Sequence, residues 1–209
     1  MEAGETTEKT GKEAGKNKRR QLELHDPVHN VDLLVDSMEE VEFAQWLFEA
    51  HSLGIVVDFT YQPESFPLTG KVDYVPMFPA GKKKKPKSLF RDHVYTADFR
   101  VVLSSKYLEA ASAGFTIMED GPMDKDGNYT VWVDTKGTFM SHGSDRSFSI
   151  NQKLVWLKYN VYVQKIVPKE FFRKLGVPPC LRYTFQKKQI SHKYDGYNFV
   201  ATQFGLKNP

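Results

Sequence analysis

The sequence is short of cysteine, of long apolar runs and of net charge. Cys180 is the one cysteine among 209 residues, so no internal disulfide framework and no cysteine-based zinc cluster can be assembled. It stands between Pro178-Pro179 and Leu181 and reads as a packing residue. No stretch approaches the roughly 18 uninterrupted apolar residues of a membrane helix. The N-terminal segment has no apolar core of a secretory signal, so a soluble, cytoplasmic protein is expected. Neither G-x-x-x-x-G-K-[ST] nor G-x-S-x-G occurs, which leaves no sign of a nucleotide cofactor or of a serine-hydrolase elbow. Among the histidines, only His25 and His29 have a spacing of four, and Asp26-Pro27 between them disfavours a metal-binding helix. The formal net charge is only +3.

What is present is enough for a core. Hydrophobic residues make up 40% and aromatics 13%, and the length favours one domain. The charge is unevenly spread. Residues 1–28 are mostly polar and read as a disordered tail, whose Lys16, Lys18, Arg19 and Arg20 serve either solvation or a nucleic acid. Lys82, Lys83, Lys84 and Lys85, between Gly81 and Pro86, form an exposed loop that either contacts phosphates or solubilises. From Lys136 onward, 13 cations face three carboxylates, a net of +10 in 74 residues. Carboxylates gather upstream, at Asp32, Asp36, Glu39, Glu40, Glu42 and Glu49. One face that meets a polyanion is expected of such a pattern. Residues 176–209 interleave cations such as Lys187 and Lys188 with aromatics such as Tyr183 and Phe185. They suit base stacking with phosphate contact, or an extension whose aromatics pack on the core.

Periodicity predicts a helix over 36–50, capped by Asp36 or Ser37, with Phe43, Trp46, Leu47 and Ala50 inward. Strands are predicted over 55–61, 94–103, 129–136 and 161–167. A helix over 147–159 should turn Ile150, Leu154, Val155 and Leu157 inward, and a short helix covers 169–175. This order implies an α/β fold around a central mixed sheet flanked by helices.

Asp98 and Asp134 lie on two of these strands, and Lys136 follows Asp134 by two, on the same strand face. Carboxylates with a backbone carbonyl such as that of Thr135 suit a hard cation, Mg²⁺ or Mn²⁺. The Lys136 ammonium can orient a water or offset phosphate charge. Glu40 can approach from the first helix. Taken alone, Asp134 and Lys136 also fit a same-face ion pair of little worth. The apolar neighbours Val131, Val133, Phe99 and Val101 mark central strands, where a charge needs a reason.

Tyr95-Thr96-Ala97-Asp98-Phe99, Val133-Asp134-Thr135-Lys136-Gly137 and the upstream Asp36-Ser37-Met38-Glu39-Glu40 together resemble the PD-(D/E)XK nuclease core. The closest likeness is to phage endonuclease I-type Holliday-junction resolvases and related small phage nucleases. The resemblance implies a restriction-endonuclease-like core over 29–175, with insertions near 67–91 and 104–128 and a C-terminal extension over 176–209. It implies metal binding by Asp98, Asp134, the Thr135 carbonyl and Glu40, with Glu39 as the alternative helix carboxylate. Lys136 would position the water. Arg146 and Lys153 join Lys82–Lys85, Lys187 and Lys188 as candidate nucleic-acid contacts; Gln152 and His142 stand beside them, each also suited to a plain surface role. A Mg²⁺- or Mn²⁺-dependent DNA endonuclease is implied, acting on branched DNA as a homodimer in a host cytoplasm. Alternatives are nicking, double-strand or single-strand cutting, RNA processing, or a non-catalytic DNA-binding module.

Overall fold

A computed structural model describes residues 21–26, 31–77, 85–138, 142–184 and 189–206. β1 (Leu22–Asp26) and β2 (Val31–Val35) form an antiparallel pair, and Leu24 and Val35 enter the core. The expected tail over 1–28 therefore reaches too far, because residues 22–26 are strand.

α1 (Met38–Ser52) starts as its sequence dictates. Ser37 is the cap: its Oγ accepts the Glu40 N–H at 3.2 Å and donates to Glu40 Oε1 at 2.9 Å. Phe43, Trp46, Leu47 and Ala50 are all fully buried. β3 (Val56–Tyr61) follows. β4 (Ser65–Thr69) pairs with β7 (His93–Thr96), and between them β5 (Val72–Tyr74) pairs with β6 (Lys87–Phe90). Together these two successive pairs make a ribbon in the described part of the expected 67–91 insertion.

β8 (Phe99–Leu103) pairs antiparallel with β3 and with β9 (Tyr129–Thr135). The 104–128 segment holds a 3₁₀ turn at Ser105–Tyr107 and the short α2 (Leu108–Ala111). α3 (His142–Tyr159) crosses over to β10 (Val163–Ile166), which lies parallel to β9. The central sheet is thus mixed, in the order β10-β9-β8-β3. α4 (Pro168–Leu175) and α5 (Val200–Gln203) complete the chain.

The alternation along β8 and β9 builds two cores. Phe99, Val101, Val131 and Val133 face α1 and α4, where Phe43, Trp46, Phe171 and Phe172 stack edge to face. Trp132 and Val163 face the other way, against Phe148 and Val155 of α3 and Phe66, Leu68 and Tyr95 of the ribbon. Helices flank the sheet on both faces, as expected. Replacing Trp46 with Ala should cost about 3–5 kcal/mol in urea unfolding, because a fully enclosed indole leaves a void.

Four expectations change. The strand over 94–103 is two strands that break at Ala97-Asp98 and join different sheets. On α3, Ile150 and Leu157 are 57% and 79% exposed; Phe148 and Val155 carry the inward face. Cys180 is exposed. Pro168 does not merely close a strand; it opens α4 at its first turn, where a missing N–H costs nothing.

The C-terminal segment packs on the main core. Val177 bridges Phe199, and Tyr194 and Val200 are buried with α1 and α4. The Tyr194 hydroxyl donates to Glu42 Oε2 at 2.6 Å, and Lys193 pairs with Glu42 Oε1. Gly176 makes the turn possible: its φ is +86°, and a Cβ there would stand 2.6 Å from the Phe199 carbonyl carbon. Among the described residues, no helix is long and apolar enough to cross a membrane.

Candidate active site

The site forms where the β8–β9 ladder ends. Phe99 pairs with Val133, so one further step of the register sets Asp98 opposite Asp134. The backbone ladder stops there and the Asp98 side chain takes its place. Its Oδ2 accepts the Thr135 N–H at 2.7 Å and the Thr135 hydroxyl at 2.8 Å. On the other side, the Gln62 N–H donates to the Asp98 carbonyl at 2.7 Å. Gln62 holds a φ of +43°, a left-handed conformation uncommon outside glycine, at the point where β3 leaves the sheet. Two neighbouring strands thus pin Asp98, while its Oδ1 accepts no hydrogen bond from the described residues.

Asp134 is only 4% exposed. The Tyr95 hydroxyl donates to its Oδ2 at 2.6 Å, and the Lys136 ammonium pairs with its Oδ1. Lys136 lies just past β9, and its N–H still bonds the Ile166 carbonyl of β10 at 2.8 Å. Glu40 brings a third carboxylate. Its Oε2 accepts the Asp36 N–H at 2.8 Å and the Tyr61 hydroxyl at 2.7 Å, and its Oε1 accepts from Ser37. Glu40 therefore caps its own helix and adds negative charge to the site, with both oxygens engaged. Glu39 lies beside Gly137, where an added Cβ would come within 2.9 Å of its Oε1.

The electrostatics follow from this crowding. The Asp98 carboxyl is pushed up to about 7, first by burial and then by the charge of Asp134, with Glu40 adding to it. Lys136 and the Thr135 hydrogen bond hold it down only in part. Burial, with the carboxylates they bond, also raises the Tyr95 and Tyr61 phenols, so both remain donors at neutral pH.

The structure thus brings together Asp98, Asp134, Thr135 and Lys136, with Glu40 close enough to act through its charge. Arg146 and Lys153 lie exposed along α3, and Lys85 is exposed at the entry to β6. Lys82, Lys83, Lys84, Lys187 and Lys188 lie outside the described residues, as does the His142 side chain. Gln152 is structural: its amide donates to the Val163 carbonyl at 2.6 Å and ties α3 to β10.

Sequence reasoning assigned no role to Tyr95, Tyr61 or Lys165. Lys165 stands opposite Asp134 in the β9–β10 register and pairs with Asp145 at 2.9 Å. Tyr95 had a signal, since it lies three residues before Asp98 in the same motif; Tyr61 and Lys165 had none, because their partners are distant in sequence. Replacing Tyr95 with Phe should lower stability by about 1.5–3 kcal/mol in chemical denaturation, the usual worth of a hydrogen bond to a charged group.

Among the described residues, no group of three or more His, Cys, Asp or Glu side chains converges to hold a metal ion. Two carboxylates do meet, one with an open oxygen, in a pocket whose anions outnumber its single lysine. That donor set fits a hard divalent cation completed by water. An open cleft of about 450 Å³ lies along the edge strand β10, with Ser149, Gln152, Lys165 and Lys174 on its walls. No family model matches the chain, and neither a curated protein nor a solved structure matches it.

Proposed function

We propose that this protein is a divalent-metal-dependent DNA endonuclease with a restriction-endonuclease-like core. The observation that carries the reading is Asp98 facing Asp134 at the end of the central sheet, with Lys136 on the second carboxylate. The order α1, β3, β8, β9, α3 supports it, because Glu40 on the helix, Asp98 just before β8 and Asp134-x-Lys136 at the end of β9 follow one another in the order of the PD-(D/E)XK motif.

Asp98 and Asp134 would hold Mg²⁺ or Mn²⁺, which would polarise the phosphodiester and neutralise its developing charge. The chain's own residues do the rest. Tyr95 fixes the rotation of the Asp134 carboxylate, and Thr135 fixes that of Asp98. Lys136 donates through Nζ, so it can orient an attacking water or hold charge at the scissile phosphate. Exposed Arg146 and Lys153 on α3, with Lys165 and Lys174 in the adjacent cleft, supply cations along the path of a phosphate backbone. Branched DNA is the substrate the motifs favour, and a dimer would place two sites on one junction.

The test is a panel of labelled junction, flap, nicked, single-stranded and linear DNA with Mg²⁺, Mn²⁺ or EDTA. Metal-dependent cutting, strongest on the junction, is the expected result. A protein that holds DNA equally in EDTA and never cuts would be a binding module whose buried Asp134–Lys136 pair is structural.

A further inference from the structure

The β5–β6 end of the ribbon is unlike the rest of the molecule. β4 and β7 are anchored, with Phe66, Leu68 and Tyr95 buried beneath α3. Beyond Gly70, every residue of both strands is exposed, on both ribbon faces. Several of them are nonetheless apolar: Leu89 is 59% exposed and Phe90 52%, with Val72 and Tyr74 on the facing strand and Met77, 74% exposed, past its end. An isolated two-stranded ribbon is marginal in water and gains little from burying itself, so such side chains are expected to meet a partner.

The charges say which partner. Of the ribbon's described carboxylates, Asp73 is paired with Lys71 at 2.9 Å, and Asp92 accepts the Lys71 N–H at 2.8 Å. The side chains of Lys85, Lys87 and Arg91 have no hydrogen bond or ion pair with any described residue. Among the described residues from Gly70 to Asp92, four cations face two carboxylates, so the excess charge is positive. Lys87 and Leu89 lie on β6 and Arg91 just past its end; the register shifts at Leu89, between the Val72–Phe90 and Asp73–Ser88 pairs, and Tyr74 lies directly across from Lys87. Cations and large apolar groups are thus interspersed along the exposed ribbon. Three cations whose side chains pair with no described residue, set among exposed apolar groups, suit a polyanion with an apolar interior.

We propose that the β5–β6 ribbon is a DNA-engaging arm that enters a groove of duplex DNA. A two-stranded ribbon is narrow enough for the major groove. Lys85, Lys87 and Arg91 contact phosphates on the groove's walls. Leu89, Phe90 and Tyr74 pack against base edges and thymine methyls on the groove's floor. The arm shares its nucleic-acid partner with the endonuclease reading but none of its metal chemistry.

The test is binding of a labelled duplex and a labelled junction to the full chain in EDTA, followed by fluorescence anisotropy over a range of salt. Lys85→Ala/Lys87→Ala/Arg91→Ala should weaken binding at least about tenfold, and should lower the slope of log K against log salt by about 2–3, the loss of three phosphate contacts. Leu89→Ser/Phe90→Ser should weaken binding with the slope unchanged. All five positions are exposed, and an unchanged melting temperature checks the fold. Wild-type affinity and slope in both variants would overturn the proposal. So would light scattering that shows a wild-type dimer split by Leu89→Ser/Phe90→Ser with DNA binding intact, since the ribbon would then join two copies of this chain. Because no metal is present, an arm that binds in a protein that never cuts would retire the endonuclease reading and leave this one standing.

Discussion

Asp98→Asn is expected to yield a metal-free protein that is more stable at pH 8 and has no nuclease activity. The Asp98 carboxyl is pushed up to about 7 by burial and by Asp134, whereas an unfolded Asp titrates near 4. Between about pH 4 and 7 the unfolded chain has lost this proton and the folded chain still holds it. The unfolded state then binds fewer protons, so stability falls as pH rises through that window, and above it the full penalty remains. Three units correspond to about 4 kcal/mol as an upper bound; partial access to solvent reduces the expected gain to about 2 kcal/mol. Asn keeps an oxygen for the Thr135 donors while removing the charge. Thermal melts of both proteins from pH 4 to 8 should agree at the acid end and separate toward the alkaline end. Mg²⁺ should raise the wild-type midpoint at pH 8 and leave that of Asp98→Asn unmoved. A variant less stable at pH 8 than the wild type would mean that Asp98 is a structural ladder cap and no more.

Lys136→Met should move stability the other way. Among the described residues, Lys136 is the only cation placed on the buried Asp134 carboxylate, whose side chain is nearly enclosed. Removing one partner of such a pair leaves a buried charge uncompensated and costs about 3–5 kcal/mol. The methionine keeps most of the stem's packing, so the loss reports charge rather than volume. Cleavage should fall by about 10²–10⁴-fold, the range for losing a group that orients and protonates. A divalent cation should recover more melting temperature in this variant than in the wild type, since it enters where the ammonium stood. Urea unfolding with and without Mg²⁺ measures both effects. Unchanged stability in the variant would make the pair the inconsequential surface contact that Asp-x-Lys on its own allows.

Local rules made some of this legible in the sequence and left the rest hidden. α1 was readable because Ser37 and Glu40 spell a capping box and the apolar spacing of 43, 46, 47 and 50 selects one face. The Asp98–Asp134 juxtaposition followed from two strands of the right type. The break at Ala97-Asp98 was not legible, because residues 94–103 carry no Gly or Pro to mark it. Only the different partners of β7 and β8 divide them. α3 carries apolar residues around much of its circumference, so periodicity could not decide whether Phe148 or Ile150 turned inward. Glu40's engagement with Tyr61 and Glu42's with Tyr194 join residues far apart in the chain. No spacing rule reaches them. The basic and aromatic C-terminal segment left base stacking and core packing both open; Tyr194 and Lys193 follow the second, on Glu42 and the core beneath it.

The central claim is that Asp98, Asp134 and Lys136 cut a phosphodiester. Its most direct measurement is cleavage of a labelled four-way junction by wild type, Asp134→Ala and Lys136→Met, side by side in Mg²⁺ and in EDTA. The expected result is cutting by the wild type in Mg²⁺ alone, with both variants folded and inactive. Cutting that persists in EDTA, or at wild-type rate in either variant, would contradict it.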